Sequence, residues 1–260
     1  MDLGIKGKLA LVCGGSKGLG RAAAAALTGE GVEVVLVART HDTLERPARE
    51  IASDTGARVR PVAADVISLA GRAAILSACP NPDILVTNPG VRQTPDDFRT
   101  MSRADWDGWM EAHFFSALEL IGAVTPGMCE RHFGRIVNIS VSNIKFPQVN
   151  FGHSHAARLA LAGAIAAMVR ELVPYNVVIN SVLPGFFDTE ALQTNLHGHA
   201  ARGGTTYEAI VADRLKMTPA GRFADPRECG DLIAFLCGAR NGYMTGQNIV
   251  NDGGVYQGLF

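Results

Sequence analysis

The sequence predicts a single α/β domain: a doubly wound, seven-stranded parallel sheet with helices on both faces. Two observations lead there. Short β-branched apolar runs alternate with longer, alanine-rich stretches along all 260 residues, and no Pro/Ser-rich linker or internal repeat interrupts them. Several of the runs, such as 9–13 and 84–87, are also apolar almost throughout rather than at every second residue, as strands buried on both faces require.

The apolar runs fall at residues 9–13, 32–38, 58–62, 84–87, 135–139, 177–183 and 247–250. Helical stretches among them include 20–29, 43–55, 103–128, 156–172 and 226–237. Strand–helix alternation implies right-handed crossovers and hence parallel strands. The segment 186–217 departs from the pattern. It carries Gly198, Gly203 and Gly204 among threonines and histidines, and its periodicity is weak. A long irregular segment in a compact domain reads as a lid or substrate loop within the single domain 1–260, with a disordered insertion as the alternative.

Composition narrows the function classes. Apolar residues make up 47% of the chain, enough for a large core, and the 19% charged argues against disorder. A net charge of -1 offers nothing to nucleic acid or an anionic membrane. Apolar runs stop short of the ~20 residues a membrane span needs. Cys13, Cys79, Cys129, Cys229 and Cys237 form no C-x-x-C pair, which suggests reduced thiols and no metal framework. The first seven residues, Met1 to Gly7, show no basic stretch before an apolar run, as a signal peptide would. These features together read as a soluble cytoplasmic protein acting on a small molecule.

The first strand runs into Gly14-Gly15-Ser16-Lys17-Gly18-Leu19-Gly20 and then straight into a helix. The spacing G-x-x-x-G-x-G is close to the Rossmann fingerprint. Its glycines let backbone turn tightly and approach a pyrophosphate at a helix N-terminus. The end of the second strand tells nicotinamides apart. An acidic residue there would accept the ribose 2′-hydroxyl and repel a 2′-phosphate. This chain has Arg39, whose planar guanidinium can pair with a phosphate, and Lys17 adds a second positive charge. The pair favours NADP(H), with NAD(H) as the alternative.

Further motifs follow in order: Asp65-Val66, Thr87-Asn88-Pro89-Gly90, Trp106, Asn180 ahead of Pro184-Gly185, Thr189, Gly221-Arg222, Thr245-Gly246 and Asp252-Gly253-Gly254. With the glycine loop they resemble the short-chain dehydrogenase/reductase family over essentially the whole chain. The resemblance implies a cofactor surface made of Gly14, Ser16, Lys17, Gly18, Leu19 and Gly20, with Arg39 and Thr40 beside them. Asp65, Val66, Asn88, Gly90, Arg158, Pro184, Gly185, Phe187 and Thr189 complete it. In it Asp65 meets the adenine amino group, the Asn88 backbone the adenosine ribose, and Phe187 and Thr189 the carboxamide. The resemblance also implies a homotetramer built through the long helices, where the alanine-rich face of 156–167 suits close packing.

The family's redox chemistry uses Asn, Ser, Tyr and Lys. Aligned on the family motifs, those positions here hold His113, Val141, Ser154 and Arg158. Ser154 is shorter and far less acidic than a phenol, and Val141 donates nothing. Arg158 can hold a ribose but does not release a proton. A replacement acid is therefore expected among His113 and His155, with His113 favoured because the family uses that position in proton relay. A one-residue slip that brings Ser142 and His155 to the site is the competing alignment. The expected function is an NADP(H)-dependent oxidoreductase acting on a carbonyl, alcohol or imine through a non-standard proton-transfer group. The alternatives are a lyase-like enzyme on the same scaffold and a catalytically inactive NADP(H)-binding homologue. Halohydrin dehalogenases also resemble the family, but they lose the glycine loop and keep the Ser and Tyr that are missing here.

Overall fold

The computed structural model describes residues 2–90 and 97–259. Seven strands form one sheet: β1 Leu9–Cys13, β2 Glu33–Ala38, β3 Val59–Ala63, β4 Ile84–Thr87, β5 Gly134–Ile139, β6 Val177–Pro184 and β7 Asn248–Asn251. Their order is β3-β2-β1-β4-β5-β6-β7, and every pairing is parallel. The order reverses between β1 and β4, which opens a crevice at the carboxyl ends of those two strands.

Alternate residues of the central strands feed two separate cores. Ala10, Val12, Val34, Leu36, Ile84 and Val86 pack with helices α1 Gly18–Gly29, α2 Asp42–Thr55 and α9 Pro226–Leu236 on one face. Leu11, Cys13, Val35, Val37 and Leu85 pack with α3 Leu69–Ala78, α5 Ser116–Glu130 and α6 Gly152–Leu172 on the other. Both faces are covered, so the strands carry no polar period. Helix boundaries have local causes. Ser68 caps α3 by accepting from Gly71 N at 3.0 Å, and Asp225 with Glu228 forms a reciprocal capping box ahead of Pro226 at the start of α9.

Three expectations are corrected. The stretch 186–217 is not irregular: Thr189 caps α7 Glu190–Gly203 and Thr206 caps α8 Tyr207–Lys216. Gly198 is half-buried within α7, Gly203 is its exposed last residue, and Gly204 is the left-handed residue between the two helices. The helix expected over 103–128 is broken, running α4 Arg103–Met110, a π-helical turn Glu111–Phe115, then α5. The helix expected from 156 begins at Gly152, so His153, Ser154 and His155 occupy its first turn. No helix among the described residues is long and apolar enough to cross a membrane.

Candidate active site

The crevice is built first from glycines. A Cβ on Gly14, where φ is +64°, would overlap the Asn88 carbonyl oxygen and lie 2.7 Å from Asn88 Nδ2. A Cβ on Gly20 would lie 2.8 Å from the Gly14 carbonyl carbon and 2.9 Å from the same Nδ2. Gly18 takes φ +57° with the Thr189 methyl beside it. At Gly14 and Gly20 backbone and Asn88 fill the space a side chain needs, and at Gly18 the left-handed backbone alone favours glycine. Lys17, extended at the N-cap of α1, offers no side-chain cap, so the helix start presents its own backbone N–H groups.

Around this cradle stand the other expected cofactor residues. Arg39 and Thr40 are exposed at the end of β2. Asp65 Oδ1 accepts from Ile67 N at 3.0 Å, which holds the turn after β3. Pro184 ends β6, and a Cβ on Gly185 would press on Asp252 at 2.6 Å. Phe187 is buried and its backbone bridges to Ala224. Lys17 reaches across to the first residue of α7, its Nζ 2.8 Å from Glu190 Oε2, and this ammonium keeps the Glu190 carboxyl below the usual carboxylate range.

The positions expected to carry the chemistry lie mostly inside the protein. Arg158 Nε donates to Ser154 Oγ at 3.3 Å, one turn away on α6. Ser154 is therefore tied to the cation and is not a helix cap; the N-cap is Phe151. Burial pushes the Arg158 guanidinium down to about 10. His113 sits in the π turn, buried, with its ring stacked on Trp109 at 4.8 Å. Trp109 also meets His153 at 4.6 Å, so an indole separates the two imidazoles. His155 is buried against Phe151, and its Nε2 has no hydrogen-bond partner among the described residues. Burial, then the charges of His153 and Arg158, holds His155 below the usual histidine range. A π turn inserted in a helix commonly marks a functional position, and here it carries His113.

A cavity of about 690 Å³ opens at the carboxyl ends of β5 and β6. Val141, Ser142, Pro184, Gly185, Phe186 and Tyr256 are on its wall, with Phe146 and Lys216. Strand alternation stops at Ile139 and a 3-10 turn, Ser142–Ile144, follows, so Val141 and Ser142 share this wall. Of His113, Val141, Ser154 and Arg158, the positions aligned above with the family's catalytic residues, Val141 alone lines it among the described residues.

Sequence reasoning passed over two residues. Arg72 is buried, yet its guanidinium donates to the carbonyls of Val66 and Ile67 at 3.0 and 2.8 Å and pairs with Glu111 and Glu119 at 2.9 and 2.7 Å. It thus bolts the turn after β3 to the π turn that bears His113. Nothing in its local sequence separates it from a solvated surface arginine. Tyr256 follows Asp252-Gly253-Gly254 closely enough that the motif itself could have drawn attention to it.

A family model described as enoyl-(acyl carrier protein) reductase matches residues 14–256, from the glycine cradle to the cavity tyrosine. The chain belongs to the short-chain dehydrogenase/reductase family. Among its curated relatives, the 3-oxoacyl-(acyl-carrier-protein) reductase of Vibrio cholerae is 32% identical over 98% of this chain and 99% of its own length. The corresponding reductase of Aquifex aeolicus is 30% identical over 98% of this chain and 100% of its own. Among solved structures, L-sorbose reductase from Gluconobacter frateurii, complexed with NADPH and L-sorbose, superposes with a TM-score of 0.92 at 29% identity, covering 100% of both chains. YwfH, an NADPH-dependent reductase involved in bacilysin biosynthesis, gives 0.90 at 26% identity, covering 97% of this chain and 99% of its own.

Proposed function

We propose that this family member is an NADP(H)-dependent oxidoreductase acting on a carbonyl, alcohol or imine, with its proton supplied by groups other than the family's tyrosine. The observation that carries this reading is the cradle at Gly14, Gly18 and Gly20, where Gly14 and Gly20 leave no room for a side chain, Gly18 takes a left-handed backbone, and the helix start has no side-chain cap. Such a cradle suits a pyrophosphate and has no comparable use in a protein that has abandoned dinucleotides. Arg39 supports the 2′-phosphorylated form, as do the NADPH complexes of the similar L-sorbose reductase and the NADPH dependence of YwfH.

In this reading Ser16, Lys17 and Leu19 frame the pyrophosphate and Arg39 with Thr40 the 2′-phosphate. Asp65 and Val66 hold the adenine end, and the Asn88 and Gly90 backbone its ribose. Arg158 holds the nicotinamide ribose, while Pro184, Gly185, the Phe187 backbone and Thr189 form the carboxamide end. The bound dinucleotide supplies or accepts the hydride. The chain supplies position and protons. Arg158 fixes the Ser154 hydroxyl, and His113, with His155 as second candidate, titrates to carry the proton toward that end of the site. Helices α7 and α8 act as the lid, and the Lys17–Glu190 pair joins the lid to the cradle. Phe115 in the π turn, Leu159 on α6 and Tyr175 in the turn after it expose apolar surface, which supports a homotetramer; light scattering reads it directly.

Calorimetry with NADPH and NADH tests the cofactor. Arg39→Asp should cost NADPH at least ~2 kcal/mol, about thirty-fold in affinity, and leave NADH nearly unchanged. Equal affinity of the wild type for both dinucleotides refutes the NADP preference. NADPH oxidation with a carbonyl and imine panel tests the redox reading: binding without turnover leaves the inactive homologue, and no binding leaves the lyase-like enzyme.

A further inference from the structure

We infer that Tyr256 is a catalytic residue: its hydroxyl donates a hydrogen bond to the reacting oxygen of the substrate, taking over the role that Val141 cannot perform. The inference rests on the oxidoreductase reading. A carbonyl that accepts hydride develops negative charge on its oxygen, and a preorganised donor aimed at that oxygen lowers the barrier. Positions 141 and 154 provide a valine and a serine tied to Arg158. The cavity nevertheless has a phenol. Tyr256 lines it together with Val141, Pro184 and Gly185, the residues that mark the substrate and nicotinamide ends of the crevice.

The surroundings of Tyr256 are those of a placed side chain. Asp252 Oδ2 accepts from Tyr256 N at 2.8 Å while Oδ1 accepts from Gly254 N at 3.0 Å, so one carboxylate fixes the backbone on both sides of residue 255. The ring stacks on Phe146, another wall residue, at 6.0 Å and 20°. Gly258 lies against the phenol so closely that a Cβ there would overlap the hydroxyl. Lys145 Nζ stands 6.0 Å from the ring centroid, near enough for its charge to be attracted to the ring face. The segment after β7 thus brings the phenol to the cavity, and the turn after β5 brings Lys145 to the ring from outside the cavity wall. No bond to Tyr256 forms or breaks in this role; its proton stays on the phenol as the hydride reaches the carbon.

The test compares wild type, Tyr256→Phe, Lys145→Met and Tyr256→Phe/Val141→Ser, each first checked for an unchanged melting curve and NADPH affinity. Turnover is followed with a panel of aryl ketones, β-keto esters and α-diketones, and the carbonyl stretch of bound acetophenone is read by infrared difference spectroscopy. Tyr256→Phe is expected to lower kcat about 10²–10³-fold, as removal of one oxyanion donor does. Its acetophenone stretch should return toward the free value. Lys145→Met should lower kcat less, and Val141→Ser should restore part of what Tyr256→Phe loses. A Tyr256→Phe variant that keeps wild-type kcat and the wild-type carbonyl stretch overturns the assignment while leaving the oxidoreductase reading intact. A wild type that binds NADPH yet reduces nothing in the panel, with no shift of the acetophenone stretch, overturns both.

Discussion

Replacing Gly14 with alanine tests whether the cradle is required or merely permitted. Two costs add at that position. The left-handed backbone, φ +64°, penalises any Cβ by about 1–2 kcal/mol. The new methyl would also overlap the Asn88 carbonyl and stand 2.7 Å from Asn88 Nδ2, well inside the ~3.5 Å of ordinary contact. One neighbour is backbone at the end of β4, so relief requires moving the strand end, an overpacking cost of about 1–3 kcal/mol. The sum, about 2–5 kcal/mol, lowers the melting temperature by roughly 4–20 °C in a domain of this size. Gly29 serves as the control: it closes α1 with nothing within 4 Å of its missing Cβ, so Gly29→Ala should be neutral or slightly stabilising. Melting by circular dichroism with parallel NADPH titration reads both effects. A Gly14→Ala protein that melts with the wild type and binds NADPH equally well shows that the geometry at Gly14 does not constrain the site.

Other outcomes follow from the buried groups. His113→Ala should remove a histidine-range step from the pH–rate profile and leave NADPH affinity unchanged; if His113 and His155 can both become alanine without loss of turnover, the proton has another source. His155 is held below its ordinary value, so between that ordinary pH of about 6.5 and its lower folded value the unfolded chain binds a proton that the native protein refuses. The stability tied to neutral His155 is present above about pH 6.5 and is lost as the pH falls below it. The urea midpoint should therefore drop more steeply on acidification in wild type than in His155→Gln, and identical slopes exclude the residue. Burial pushes the Cys13, Cys229 and Cys237 thiols up to about 12 and Cys79 to about 11, so at pH 8 a thiol reagent should reach Cys129 first and the other four only after denaturant. Rapid reaction of all five in native protein contradicts that burial.

The sheet and the cradle were legible because each rests on a local rule. Leu9–Cys13 and Ile84–Thr87 are apolar on both faces, and Gly14, Gly18 and Gly20 punctuate the step from strand to helix. Helices α7 and α8 were not legible. Helix α7 is amphipathic only weakly and buries only Leu196 and Ala200, so its apolar stripe hardly stands out from its polar residues. The π turn was hidden for a different reason: one extra residue per turn leaves composition untouched and shifts only the phase in which His113 faces Trp109. Arg72 and Tyr256 gain meaning only from partners far away in the chain, such as Glu119 for the first and Phe146 for the second.

The strand order also bears on how the chain reaches this state. No two neighbouring strands are joined by a hairpin. The pairing at the crevice, Ala10 with Ile84, closes a loop of 84 − 10 = 74 residues. The β1–β2 edge, Leu9 with Glu33, closes one of 33 − 9 = 24. Loop closure therefore favours β1–β2 with α1 as the early unit, and the cradle's far wall at Asn88 arrives only when β4 docks. Refolding should be slow for a domain with so much helix, and competence to bind the dinucleotide should lag behind recovery of helical signal.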